Sequence, residues 1–118
     1  MTRSTPELLS ESEVLSRLHS KRGQTGYRAM FSSWLGGIVT DPALMQIPLD
    51  DHLVHRGHGV FDTCTLSDGR LYRLDVHVDR LLQSASLARI EHSWSKEDII
   101  QMVVDTASKT GILSLIHI

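Results

Sequence analysis

The sequence predicts a single α+β domain in which short strands precede two longer helices. Apolar and polar residues alternate over residues 59–66, which is the period of a strand with two different faces. Apolar residues recur at helical spacing over residues 76–90 and again over residues 95–109. The pair Asp68-Gly69 joins two strand-like runs, which is a strong short-range signal for a β-hairpin. Strands followed by helices are typical of the α+β class.

The chain opens with residues 1–26, which we expect to form a short helix and a linker. Ser10 and Glu13 have the spacing of a capping box, so a helix is predicted from Ser10 to Leu18. Residues 20–26 are basic and contain glycine, as linkers often do.

The main domain is predicted over residues 27–111. It begins with strands at 27–33 and 38–40, which flank a pair of glycines suited to a turn. The polar stretch 50–58 is then predicted to be a loop that leads into the strand at 59–66. A polar loop that feeds a strand is a common way to hold reactive groups on a rigid edge.

Two helices follow the hairpin, whose second strand is predicted at residues 71–74. Asp75 is a suitable N-cap for the first helix, expected over residues 76–90. Ser95 opens the second helix with another cap signature, and Gly111 is a suitable stop.

The last residues, 112–118, form an apolar run that resembles a further strand. Because such a strand needs neighbours to satisfy its backbone, we expect a sheet that this chain does not complete. A truncation or a shift of reading frame near Thr110 would explain the tail.

Composition limits the classes of function. Of the 118 residues 41% are hydrophobic and 22% are charged, as in ordinary globular proteins, and the net charge is −2. No basic excess indicates a nucleic-acid partner, and no basic amphipathic stripe or long apolar run indicates a membrane. Cys64 is the only cysteine, so no internal disulfide is expected. A reducing compartment is predicted, either the cytoplasm or an organelle.

Three histidines recur at every third position in the polar loop: His52, His55 and His58. Neutral imidazole is a common metal ligand, so a metal site is one hypothesis. Gly57 and Gly59 bracket the last histidine and indicate a backbone that bends tightly or is closely approached. Because such a loop offers no regular geometry for three rings around one ion, we favour hydrogen-bonding histidines and no metal.

Other groups in this region carry weaker signals. The acids Asp50, Asp51 and Asp62 could pair for acid–base work, although solvated loop charges are the ordinary explanation. Cys64 lies in the predicted strand on the same side as Leu66. It is expected to be a small buried hydrophobe and not a nucleophile.

Arg80 is the most informative single residue. It lies beside the apolar stripe of the first long helix, and His77 and Ser84 are its neighbours at three- and four-residue steps. A planar guanidinium held in this way suits an oxyanion, above all a phosphate monoester. A snorkelling side chain or a pair with an acid is the alternative.

Three segments, in this order, resemble the class-IV aminotransferases, which are fold-type IV enzymes that use pyridoxal 5′-phosphate. They are GHGVFDT at residues 57–63, DGRLY at 68–72 and HVDRLLQSA at 77–85. The sequence most resembles the plant-type D-amino acid aminotransferase-like members, and branched-chain aminotransferases and aminodeoxychorismate lyase belong to the same family. The resemblance implies the N-terminal small α+β domain of that architecture, an antiparallel sheet with helices packed on it, in a protein that is a homodimer when complete.

The resemblance also implies roles for individual residues. Arg80 matches the arginine of the family's His-x-x-Arg motif, which contacts the cofactor phosphate. Phe61 matches an aromatic position that lines the substrate pocket, although packing alone allows plain strand core. His77 and Ser84 would then support the arginine. The substrates implied are an amino acid, of the D or branched-chain type, and a 2-oxo acid.

The chemistry of the family further needs a lysine bonded to the cofactor and a glutamate beside the pyridine nitrogen, both in a second domain. The lysines of this chain are Lys21, Lys96 and Lys109, and none has a suitable predicted position. We therefore expect no catalytic residue here and an inactive isolated chain. Two alternatives stay open: an aminodeoxychorismate lyase of the same fold, and a non-catalytic subunit that only binds or dimerises.

Overall fold

The structure is a computed structural model that describes residues 5–111, so the predicted strand at 112–118 lies outside the described residues. The described elements are α1 (Glu11–Ser20), β1 (Met30–Ser32), β2 (Gly37–Val39), α2 (His52–Arg56), β3 (Leu66–Ser67), β4 (Arg70–Leu71), α3 (Leu74–Leu87) and α4 (Lys96–Ser108). Short 3₁₀ turns, Arg22–Gln24 and Pro42–Leu44, follow α1 and β2. The α+β class is confirmed. Within 5–111, no helix has the length and apolar character needed to cross a bilayer.

The strands form two small antiparallel hairpins. In the first, β1 pairs with β2 and places Phe31 opposite Ile38. In the second, β3 pairs with β4 and places Leu66 opposite Leu71. The strand β1 is shorter than the predicted 27–33, whereas β2 has the predicted length and begins one residue before the predicted 38–40.

The Asp-Gly hairpin is confirmed at its turn. Asp68 and Gly69 have φ angles of 51° and 73°, the positive values that a tight two-residue hairpin turn requires. The flanking strands are nevertheless much shorter than the predicted 59–66 and 71–74. Within residues 5–111, the stretch before Leu66 has no strand beside it, so no ladder forms there.

Helix α3 begins earlier than predicted, and the predicted N-cap Asp75 is wrong. Its N-cap is Arg73, which adopts a left-handed conformation with φ 52° and makes no side-chain cap hydrogen bond. The tight hairpin directs the chain into the helix at Leu74, before Asp75 is reached. Asp75 lies instead in the first turn, where a negative charge is favourable beside the helix N-terminus.

The two predicted capping boxes are confirmed. In α1 the Ser10 hydroxyl accepts from the Glu13 backbone, and the Glu13 carboxylate accepts from the Ser10 backbone. Ser95 and Asp98 exchange the same two contacts at the start of α4. Such reciprocal contacts satisfy N–H groups that a helix start leaves without partners.

The core is thin: its buried side chains come from α3, α4, β3 and the segment before β3, with Ala43 apart in the second 3₁₀ turn. Within the described range, Leu66 at 5% exposure is the largest apolar side chain among those that are buried. The buried apolar residues are Ala43, Cys64, Leu66, Val78, Ala85 and Ala107. Val78 and Ala85 belong to the apolar stripe predicted for α3, so that stripe does face the core.

Candidate functional site

The polar stretch predicted as a loop is in large part helix α2, so that prediction was wrong. Asp51 is its N-cap, and the Asp51 carboxylate accepts a hydrogen bond from the Leu53 backbone at 2.9 Å. Gly57 ends the helix in a left-handed conformation, with φ 63°. An acid before the first turn and a glycine after the last are ordinary helix signals, which the three-residue spacing of the histidines obscured.

Both glycines around His58 have the backbone roles predicted for them. Gly57 turns the chain, while Gly59 passes so close to α2 that a Cβ there would lie 2.7 Å from Leu53 Cδ1. Between them His58 donates from Nε2 to the Ala88 carbonyl oxygen at 2.7 Å. This contact attaches the turn to the C-terminal end of α3, where carbonyl groups lack helical partners.

Replacing Gly57 with alanine is expected to destabilise the fold by about 1 kcal/mol, since a left-handed φ is unfavourable once a Cβ is present. Gly26→Ala is the matched control, because a Cβ meets nothing within 4 Å at either glycine and only Gly57 has a positive φ. Urea unfolding of both variants measures the difference. Equal free energies of unfolding would contradict the assigned role of Gly57.

The segment after Gly59 keeps the alternation of a strand without its ladder. Asp62 is half-buried and Cys64 and Leu66 are buried, whereas Phe61 and Thr63 are exposed. One face of the segment therefore packs against the hairpin and α3. The other face is presented to solvent.

Asp62 lies at the centre of an ion cluster that joins this segment to α3. Its Oδ1 accepts hydrogen bonds from His77 Nδ1 at 2.7 Å and from the Thr63 backbone at 2.9 Å. Its Oδ2 lies 3.6 Å from Arg80 Nε. His77 and Arg80 are one turn apart on α3, so a single carboxylate can reach both.

The sequence pattern predicts a solvated loop charge at Asp62, and that prediction is wrong. Its side chain is only 13% exposed. The hydrogen bond from His77, and then the charge of Arg80, hold the pKa of Asp62 below its ordinary value of 3.8, against an opposing effect of partial burial. The His-x-x-Arg spacing was the available signal, since it places two cationic side chains over one spot.

Because of the Asp62 cluster, we expect the free energy of unfolding to fall at acidic pH. A carboxyl whose pKa is lowered on folding stabilises the folded state above its unfolded value and loses that effect as the pH falls through the folded value. Asp62 should therefore contribute fully above about pH 5 and progressively less as the pH falls through 3.8 and below. Asp62→Asn is expected to flatten the fall in unfolding free energy between pH 5 and pH 3. Urea unfolding across that range tests this, and parallel curves for wild type and variant would contradict it.

The other predicted site residues are placed as follows. Phe61 is 84% exposed, so the alternative that it is plain strand core is wrong. Ser84 is half-buried one turn beyond Arg80 on α3, and within residues 5–111 its hydroxyl makes no hydrogen bond to the Arg80 guanidinium. His77 contacts Arg80's partner Asp62 and not Arg80 itself. The role of Phe61 in the substrate pocket and the supporting roles of His77 and Ser84 toward Arg80 stay predictions.

Cys64 is a buried hydrophobe, as predicted, with 6% exposure. Its thiol donates to the Tyr72 carbonyl oxygen at 3.2 Å. Burial, together with the charge of Asp62, raises the pKa of this thiol, which keeps it in the unreactive protonated form. Among the described residues, no three histidine, cysteine or acidic side chains are grouped as metal ligands.

The lysines show no sign of nucleophilic activation. Lys96 donates to an Asp79 carboxylate oxygen at 3.0 Å, and this hydrogen bond raises the pKa of its ammonium group. A lysine that bonds covalently to a carbonyl cofactor needs the opposite shift. Lys21 and Lys109 are exposed C-terminal caps of α1 and α4.

Comparison with known proteins supports the resemblance noted in the sequence. The pattern that describes the family "Amino-transferase class IV" matches residues 59–114, which include the Asp62 cluster and Arg80. A "D-amino-acid transaminase, chloroplastic" from Arabidopsis thaliana is 51% identical over 104 residues, which are 88% of this chain and 28% of that protein.

Two more distant relatives come from microorganisms. A "Putative branched-chain-amino-acid aminotransferase" from Methanocaldococcus jannaschii is 33% identical over 73 residues, 62% of this chain and 25% of its own length. A "Bifunctional aminodeoxychorismate lyase / D-amino acid transaminase" from Mycobacterium tuberculosis is 33% identical over 89 residues, 70% of this chain and 31% of its own length. The chain thus spans less than a third of these three relatives. From the matched family pattern and the 51% identical relative, we conclude that the chain belongs to the class-IV aminotransferase family.

Proposed function

We propose that this chain is the phosphate-binding part of an enzyme that transfers an amino group between an amino acid and a 2-oxo acid with pyridoxal 5′-phosphate. One observation carries the proposal: Arg80 projects from α3 with a side chain that is 64% exposed, and its Nε edge faces the Asp62 carboxylate. Its terminal amino groups are thereby available to an oxyanion. Relatives named as D-amino-acid and branched-chain aminotransferases suggest the two substrate types.

The side chains present fit one end of the cofactor. Arg80 would hold the phosphate, because a guanidinium matches the oxygen geometry of a phosphate monoester. When bound, the cofactor supplies an electron sink for charge that develops on the substrate carbon. Among residues 5–111 we see no lysine suited to the cofactor's carbonyl end, since Lys96 is held by Asp79 and Lys21 and Lys109 are exposed helix caps. We propose that the reactive lysine and its partner acid are supplied outside these 118 residues.

Phe61 is the proposed contribution to the substrate pocket. Its ring is 84% exposed, although burying a large apolar side chain is favourable by about 1.5–3 kcal/mol. The exposed ring lies next in sequence to Asp62, which contacts Arg80. A substrate or a further part of the protein that covered this face would bury the ring beside the phosphate site.

The proposed assembly is a homodimer of the complete protein in a reducing compartment, the cytoplasm or an organelle; the Arabidopsis relative is named as chloroplastic. Exposed apolar side chains such as Leu49 at 82% and Leu87 at 79% favour a covering partner. Sedimentation velocity of the complete protein measures its oligomeric state. A monomer at all concentrations would contradict the proposed homodimer.

Ligand titration of the purified chain tests the proposed cofactor. We expect pyridoxal 5′-phosphate and inorganic phosphate to shift the same NMR resonances, centred on Arg80, with dissociation constants on the order of 10 mM for one exposed guanidinium. Pyridoxal, which lacks the phosphate, should leave them unchanged. Equal responses to pyridoxal and its phosphate would contradict the proposal.

A lyase acting on aminodeoxychorismate is the second candidate, because the Mycobacterium relative is named for both activities. Assays of the complete protein separate the two: aminotransferase activity requires a 2-oxo acid acceptor, whereas a lyase releases its product without one. A non-catalytic binding or dimerisation subunit is the third candidate, and it predicts no response of Arg80 to phosphate.

A further inference from the structure

The Asp62 carboxylate is held from three sides. The side chain of Asp62 is only 13% exposed, although the preceding residue, Phe61, is exposed. Oδ1 accepts from His77 and from the Thr63 backbone, at 2.7 and 2.9 Å, and Oδ2 faces Arg80. A carboxylate with this many partners has one preferred position between its own segment and α3.

Arg80 meets this carboxylate with one edge of its guanidinium. The separation of 3.6 Å from Asp62 to Nε is that of an ion pair and is longer than a hydrogen bond. Within residues 5–111, Arg80 has no other ion-pair partner. Since a guanidinium carries five N–H donors in a rigid fork, a neighbour at Nε leaves the two terminal amino groups for another acceptor.

Two effects of Asp62 on anion binding have opposite signs. Its negative charge reduces the attraction of Arg80 for an anion, so its removal would strengthen binding. Its fixed position also restricts the rotamers of an otherwise mobile side chain, so its removal would weaken binding. Arg80 is 64% exposed, so water and salt screen the repulsion between Asp62 and an anion at the far edge of the guanidinium; Asp62 is only 13% exposed and lies at short range from Nε, so we infer that orientation is the larger effect.

We propose that Asp62 is a positioning residue for Arg80 and that His77 holds Asp62 in place for this purpose. His77 fixes the Asp62 carboxylate by a hydrogen bond, and Asp62 in turn fixes the exposed Arg80 guanidinium by an ion pair. This arrangement leaves the terminal amino groups of Arg80 available to a phosphate monoester. The inference rests on the proposed function, because the monoester is the phosphate of the proposed cofactor.

Phosphate titrations of matched variants test this role. Asp62→Asn removes the charge and keeps an acceptor for His77, and it is expected to weaken binding of inorganic phosphate about threefold to tenfold. Asp62→Glu should restore most of the affinity. Asp79→Asn is the control, since it removes the same charge from the residue next to Arg80, and it should stay within about twofold of wild type.

The outcomes separate this inference from the proposed function. If Asp62→Asn binds phosphate as tightly as wild type or more tightly, while Arg80→Gln loses binding, the positioning role is overturned and the anion site stands. If Arg80→Gln keeps full binding, both are overturned. A measurement on the wild type is independent of variant folding: the Arg80 Nε–Hε group should be more ordered in NMR relaxation than that of exposed Arg28. Equal mobility of the two would also overturn the positioning role.

Discussion

Arg80→Gln is expected to weaken binding of pyridoxal 5′-phosphate at least about tenfold, so that the cofactor, like pyridoxal, no longer gives the resonance shifts seen with wild type. The reason is the loss of a charge-assisted contact to the phosphate, which contributes about 1.5–3 kcal/mol. Glutamine keeps a polar side chain of similar reach, so the variant removes the charge and the fork with little change in packing. NMR titration of wild type and variant at constant ionic strength measures whether this response is kept or lost.

Two further variants show whether charge alone explains this result. Arg80→Lys keeps the positive charge and loses the fork, so an intermediate affinity is expected. Arg28→Gln changes the net charge equally at an exposed arginine before β1, and it should bind like wild type. If Arg28→Gln weakens binding as much as Arg80→Gln does, the affinity for the phosphate depends only on the net charge of the chain.

Leu66→Ala is expected to have the largest effect on stability. Leu66 is 5% exposed in a thin core whose other buried members are mostly smaller, so its loss leaves a cavity with few groups to fill it. The expected cost is about 2–4 kcal/mol. For a domain of this size that corresponds to a fall in melting temperature of roughly 10–25 °C, measured by thermal unfolding.

Leu8→Ala is the matched control for the same chemical change. Leu8 is 98% exposed, so its truncation should alter the free energy of unfolding by no more than about 0.5 kcal/mol. If both leucine variants unfold at the wild-type temperature, the second hairpin is not part of the core.

Sequence patterns a few residues long correctly predicted the helix caps and the hairpin turn, because contacts between near neighbours in sequence determine these features. The box at Ser10 forms because a hydroxyl and a carboxylate three residues later reach two helix-start N–H groups. The turn at Asp68-Gly69 forms because these two residues tolerate positive φ. The predicted strand lengths were wrong, because strand formation depends on a partner segment that is distant in sequence. The stretch 59–65 has the strand alternation, but ladder hydrogen bonds require a neighbouring strand that no local pattern supplies.

The same distinction explains the site. The three- and four-residue steps of α3 indicated that Arg80 and His77 share a face, because helical geometry sets that relation. The part played by Asp62 could not be predicted in this way. It is 15 residues from His77 in sequence, and the contact exists only because the turn at Gly57 and the His58 hydrogen bond bring the segment onto α3.

A crystal structure of the protein with bound pyridoxal 5′-phosphate tests the central claim most directly. We expect a phosphate oxygen within about 3 Å of the Arg80 terminal amino groups, with the contact between Asp62 and His77 unchanged. Density for the phosphate at another site, with the Arg80 guanidinium still directed to solvent, would contradict the assignment of Arg80 as the phosphate-binding residue.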